Sequence, residues 1–199
     1  VGLLSNTLVG CEEAKLTCVS LQLPRTLLRL WKASHGAPHA RRLVLTLLSN
    51  YISRCSPAKS SLAAYTDAKG RCMPSLLIRS VLEPARPGLA RMCAADWLLS
   101  WRCLGSLATS AEGRTLLLRS PLPSSAPKIV SALLTPPAAD GARAAPVLDF
   151  LANLAFDRDG QAAVLHAKGA FDTLLEGLGA RDLDARRAGA LCTRNVAFH

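Results

Sequence analysis

Apolar residues recur along this chain at helical spacing, and no two-residue alternation of the strand kind is sustained anywhere. The pattern is clearest over residues 146–178. In 146–156, Val147, Leu148, Leu151, Leu154 and Ala155 fall at i, i+1, i+4, i+7 and i+8, one face of an α-helix. Asp157-Arg158-Asp159-Gly160 breaks the pattern, and residues 161–168 resume it with Ala162, Val164 and Leu165. Gly169 sits where a left-handed glycine closes a helix, and Phe171, Leu174, Leu175 and Leu178 form a third stripe. Three short helices cannot cover one another's stripes, so they need neighbours of the same kind.

The rest of the chain supplies them. The tetrad LLSN at residues 3–6 recurs letter for letter at 47–50. Degenerate copies follow as CLGS (103–106), FLAN (150–153) and CTRN (192–195). The fourth positions, Asn6, Asn50, Ser106, Asn153 and Asn195, are separated by 44, 56, 47 and 42 residues. HEAT and armadillo repeats run at about 40–47 residues, so three intervals fit and one carries an insertion. The tetrad helices are expected near 3–10, 40–54, 90–109, 146–156 and 184–198, with the insertion near 64–90. Further short helices are expected over 12–19, 24–31, 75–82, 112–119 and 128–134, and residues 56–65 read only as short and polar. Residues 33–39, 120–127 and 135–142 read as loops from their Pro, Gly and Ser content. The expected fold is all-α, an armadillo/HEAT-like right-handed α-solenoid of short helices, with 1–199 a single array cut through a repeat at each end.

Composition narrows the class. Half of the 199 residues are hydrophobic, which excludes a disordered segment. No charge-free run exceeds 11 residues, against the ~20 apolar residues of a spanning helix, so no membrane partner is expected. Seven cysteines at irregular spacing, without a CxxC, suggest reduced thiols in apolar runs rather than a disulfide framework. The net charge of +10 is uneven: the first hundred residues hold 13 Lys/Arg against 5 Asp/Glu, the remainder 11 against 9. Basic residues are mostly single, which favours a solvated helix face over a nucleic-acid footprint. Arg25, Arg29, Lys32, Arg41 and Arg42 nevertheless cluster around one helix pair. That cluster is a candidate contact for an acidic protein segment.

Catalytic chemistry is not legible. No GxSxG, P-loop, HExxH or GxGxxG pattern occurs, and no cofactor is implied. His35 and His39 flank Gly36 and Pro38 in a loop without a supporting ligand set, so no metal site is expected. Asp157–Gly160 lacks the ligand series and closing Glu of a calcium loop and reads as a turn. Trp97 and Trp101, four apart, read as core filler rather than a ligand ladder.

The tetrad position offers the other candidate surface. Asn153, with Asp149 near it, lies roughly 150° from the centre of its helix's apolar face. If the tetrad helices line a concave surface, Asn50, Asn153 and Asn195 form part of a ladder that pairs with an extended peptide. Equally, they bond to adjacent helix ends and join repeat to repeat. Armadillo receptors for basic import peptides carry Trp four residues before the Asn. Here those positions are Gly2, Thr46, Arg102, Asp149 and Leu191, which disfavours that function.

The run LANLAFDRDGQAAVLHAKGAFDTLLEGL, then RNVAFH, resembles the C-terminal armadillo-like region of the rotatin family. EEAKLTCVSLQLPRTLLRLW and LVLTLLSNYISRCSPAKSSL resemble that family's preceding repeats in order. Bulky or polar residues of the family are replaced by Ala and Arg, and residues 64–90 and 135–145 align poorly. The resemblance implies a non-enzymatic centriole and basal-body scaffold, needed for centriole assembly, cilium formation and left–right patterning. It implies a cytoplasmic, cytoskeletal location and partners among centriolar and ciliary proteins.

Overall fold

A computed structural model describes residues 1–82, 93–135 and 140–197. Among them are thirteen helices and no strand. They are α1 (Gly2–Thr7), α2 (Glu12–Ser20), α3 (Leu23–Ala33), α4 (Pro38–Ile52), α5 (Ser56–Ala64), α6 (Met73–Leu82) and α7 (Ala94–Ala108). Next come α8 (Ala111–Leu118), α9 (Leu122–Leu134), α10 (Gly141–Leu154), α11 (Arg158–Leu165), α12 (Ala170–Leu178) and α13 (Leu183–Ala197). The tetrads fall on α1, α4, α7, α10 and α13, as their spacing requires. Parts of the expected insertion (83–92) and of the expected loop at 135–142 (136–139) lie outside the described residues, as does the end of the expected last helix.

The chain divides into two compact units, Val1–Gly113 and Arg114–His199, where the repeats suggested a single array. The border falls within α8.

In the first unit α4 is central and packs against α1, α3, α5 and α7. Its Val44, Leu45, Leu47, Leu48, Tyr51 and Ile52 are all buried, on two sides of the helix. Fully burying one Leu contributes about 1.5–3 kcal/mol, so truncating Leu48 to Ala would cost about 2–5 kcal/mol. In the second unit α10 holds the corresponding place, packed on α9, α11 and α13. Val147, Leu148, Phe150, Leu151, Ala152 and Leu154 are at most 1% exposed there. Trp101, on α7, is fully buried and meets the half-buried Trp97 edge to face, ring centroids 5.8 Å apart.

Proline density misleads at two places. Residues 120–127 are not a loop: α9 starts at Leu122 and carries Pro127 inside it. Pro123 lies in the first turn, where no donor is needed, and Pro127 removes only one ladder bond. Likewise α10 begins at Gly141 rather than 146, with Pro146 buried within the helix. The Asp140 carboxylate caps it by accepting from the Arg143 N–H.

The break expected at Asp157-Arg158-Asp159-Gly160 falls slightly earlier, between Leu154 and Arg158, and Arg158-Asp159-Gly160 already belong to the first turn of α11. Asp157 is the N-cap and accepts from the Gly160 N–H at 3.0 Å. Ser110 does the same for α8, accepting from the Gly113 N–H at 3.2 Å. Each glycine lies seven residues after a tetrad's fourth position. A Cβ would stand 2.1 Å from the Leu107 carbonyl oxygen at Gly113 and 1.7 Å from that of Leu154 at Gly160. Glycine therefore allows each second helix to start hard against the end of its tetrad helix.

Candidate protein-interaction surface

The tetrad asparagines are built into the fold in both units. Asn50 on α4 donates from Nδ2 to the Ser5 carbonyl at 3.1 Å and to Ser5 Oγ at 2.9 Å. Asn195 on α13 donates from Nδ2 to the Ala152 carbonyl at 2.8 Å. Ser5 and Ala152 each hold the third tetrad position of the preceding copy. In both cases the fourth position of one tetrad reaches the third position of the one before. The acceptors lie in the last turn of α1 and of α10, where carbonyls lack intrahelical donors. The amide thus satisfies an orphan acceptor and ties one tetrad helix to the one before it.

Around Asn195 the polar set is complete. The Arg194 guanidinium donates to Asn195 Oδ1 at 3.1 Å, and Gln161 Nε2 donates to the Asn195 carbonyl at 3.1 Å. Asn195 is buried, Asn50 and Asn153 are half-buried, and Asp149 is exposed. Asn50 and Asn195 thus donate to the end of a neighbouring tetrad helix, the second of the two arrangements the sequence left open. A second polar tie links the third helices: Thr173 Oγ1 on α12 donates to the Pro127 carbonyl on α9 at 3.0 Å. Sequence reading passed over Thr173, Gln161 and Ser5, because a single hydroxyl or amide between apolar residues carries no periodic signal.

The basic cluster separates into two groups. Arg41 lays its guanidinium 3.8 Å from the Trp31 ring centroid, a cation–π contact. Burial lowers its pKa, opposed by the charge of Asp96. Arg42 bonds the buried Asp96 carboxylate at 2.8 Å and the Cys93 sulfur at 2.7 Å. Lys32 pairs with Asp67 at 2.9 Å. These three basic residues are each engaged by a partner within unit one. Arg25 and Arg29 are exposed and make no side-chain hydrogen bond or ion pair among the described residues. They are the members of the cluster that face solvent without a partner. Asp96 had no sequence signal: it is one acidic residue in a helical first turn, and only folding places Arg42 over it.

Two lysines are buried nearby in the same unit. Lys15 Nζ donates to the Ser53 carbonyl, the C-cap of α4, and Lys59 Nζ to Thr109 Oγ1, each at 2.5 Å. Burial lowers the Lys59 pKa, with Cys55 acting against it and Lys15 with it.

His35 and His39 are exposed, and no group of three metal-ligating side chains occurs among the described residues. All seven cysteines are free. Asp157, besides capping α11, pairs with Arg114 at 2.6 Å. No described helix is long and apolar enough to cross a membrane. Neither a family model, nor a curated protein, nor a solved structure matches the chain.

Proposed function

We propose that this chain is a segment of an armadillo/HEAT-like right-handed α-solenoid, acting as a non-enzymatic protein-interaction scaffold of centrioles and basal bodies. The observation that carries the architecture is the recurring bond from a tetrad's fourth residue to the third residue of the preceding tetrad. A bond that repeats with the sequence motif is how a repeat array holds its register. The centriolar assignment rests on the resemblance of residues 147–199 to the rotatin family. In this reading the protein works in the cytoskeleton, at the centrosome and the cilium base, by presenting surface to other scaffold components.

Arg25 and Arg29 are the contact we assign to an acidic partner segment. Binding there weakens with salt, since exposed charges are screened within about 8 Å at physiological ionic strength. The peptide-groove alternative is less favoured, because Asn50 and Asn195 already donate to the chain's own carbonyls.

The test is recruitment of the tagged protein in ciliated cells. Arg25→Glu with Arg29→Glu should reduce its centriolar signal and leave helical content unchanged. Arg42 is left in place, because its removal strands the buried Asp96 carboxylate. Normal recruitment of the double variant would return Arg25 and Arg29 to plain solvation. A protein that never visits centrioles would overturn the assignment.

A further inference from the structure

The exposed face of α3 carries a single sign of charge. Arg25, Arg29 and Lys32 stand at i, i+4 and i+7, and at 100° per residue they fall within about 60° of one another. The opposite face holds the buried Leu23, Pro24, Leu27, Leu28 and Trp31. The helix has no acidic residue, so the three cations form an unbroken row about 10 Å long.

One end of that row is already filled by a carboxylate. Asp67, in the loop between α5 and α6, accepts on Oδ2 from Lys32 Nζ at 2.9 Å and from Arg71 Nε at 3.1 Å. Its Oδ1 accepts from the Lys69 and Arg71 backbone N–H groups, both at 2.9 Å. Lys32 first, then the Arg71 N–H, hold the Asp67 carboxyl well below the usual carboxylate range, so it is ionised at neutral pH. Asp67 thus engages two cations at the Lys32 end, while Arg25 and Arg29 face solvent without a partner at the other.

The chemistry of an occupant follows from the row itself. Its one filled position takes a carboxylate, and the two open positions are arginines, whose planar fork matches carboxylates. Arg25 and Arg29, one turn apart, set their Cβ atoms about 5–6 Å from each other. Carboxylates meet both when they lie one turn apart on a helix or about 7 Å apart on alternate residues of an extended segment. A nucleic acid fits less well. It is held by about 6–10 phosphate contacts rather than two, and a single strand needs stacking rings. Trp31, the aromatic of α3, is buried beneath Arg41.

Building on the acidic contact assigned above, we propose that Arg25 and Arg29 receive a glutamate- or aspartate-rich segment of a partner protein, and that Asp67 is a built-in competitor that ends its footprint at Lys32. The first hundred residues hold 13 Lys/Arg against 5 Asp/Glu, and two of those five, Asp67 and Asp96, are already engaged. Asp67 repels a longer acidic segment and keeps Lys32 and Arg71 from it.

The probe is a fluorescent oligoglutamate peptide, titrated with the full chain at low salt and read by anisotropy. Arg25→Glu with Arg29→Glu should weaken binding roughly tenfold. Asp67→Asn should tighten it roughly threefold, because Lys32 and Arg71 are released to the peptide. Asparagine keeps an Oδ1 for the two backbone N–H groups, and circular dichroism checks the fold. Lys32→Gln added to Asp67→Asn should cancel the gain. No binding at about 1 mM would overturn the inference, whichever acidic stretch of the same protein then held the row. Unchanged or weaker binding by Asp67→Asn would remove the competitor. Tighter binding of an oligothymidylate of equal charge, lost with the same two arginines, would make the ligand a nucleic acid and overturn it. Failed peptide binding beside centriolar recruitment that still needs Arg25 and Arg29 would overturn this inference and leave the proposed function standing. Peptide binding that responds to all three changes, beside recruitment that ignores them, would do the reverse.

Discussion

Asn195 Nδ2 stands 2.8 Å from the Ala152 carbonyl oxygen, joining the last tetrad helix to the one before it. The same bond occurs between Asn50 and Ser5 in the other compact unit. One residue type thus performs one task at two places the sequence motif had already paired. The asparagine is tolerated in an otherwise apolar interface because the carbonyl it meets has no other donor.

Asn195→Ala should therefore cost about 1–3 kcal/mol, since it leaves the Ala152 carbonyl unsatisfied in a buried site. Asn6→Ala, at the same motif position but exposed, should change stability by no more than about 0.5 kcal/mol. Urea unfolding of the two variants side by side separates them. Equal losses would mean that the motif contributes through helix propensity rather than through the bond.

Gly160→Ala should be destabilising by about 1–3 kcal/mol despite the better helix propensity of alanine. The added Cβ meets the Leu154 carbonyl oxygen, which is backbone and cannot swing away. Gly179→Ala is the control, because its Cβ would lie 3.6 Å from the nearest carbonyl oxygen, ordinary contact. A thermal melt in which both variants shift alike would discount the close approach.

Acid should loosen the cap of α11. Burial acts to raise the Asp157 pKa, but the Gly160 N–H and the Arg114 guanidinium outweigh it and hold the carboxyl below its ordinary value. A depressed folded-state pKa means that the contribution is fully present above the unfolded value of about 3.9. It is lost as pH falls through the folded value. The carboxylate is partly exposed, so the effect stays under about 1 kcal/mol. Asp157→Asn should flatten the corresponding part of the stability-against-pH curve below about pH 4, measured by urea midpoints. An unchanged slope would show that other carboxylates account for it.

Thiol reactivity should divide by burial. Burial pushes Cys103 and Cys192 up to about 12, so both remain protonated and enclosed near neutral pH. Cys11 and Cys93 are half-exposed and accessible to reagent. Brief alkylation of the native protein, read by peptide mass spectrometry, should label Cys11 and Cys93 first. Early labelling of Cys192 would show that α13 opens away from α10.

The all-helical character, the five tetrad helices and the absence of sustained strands among the described residues follow from periodicity alone. Apolar spacing is a local property, and helices form where it persists. The sequence also set Asn50 and Asn195 at the same motif position, without naming Ser5 or Ala152 as what they meet. Whether those amides faced a groove or a neighbouring helix depended on how one tetrad helix turns against the next, which no single helix records. Two helix starts escaped the local reading for a similar reason. Pro127 and Pro146 read as breakers, yet packing of their helices in the second unit outweighs one lost ladder bond each. The basic cluster shows the division most plainly. Arg25, Arg29, Lys32, Arg41 and Arg42 are equivalent as charges along the chain. Only the fold sets Arg41 on Trp31, Arg42 on Asp96 and Lys32 on Asp67, leaving Arg25 and Arg29 to solvent. Charge is written residue by residue, but its partner arrives from a distant part of the chain, and that distance is closed only by tertiary packing.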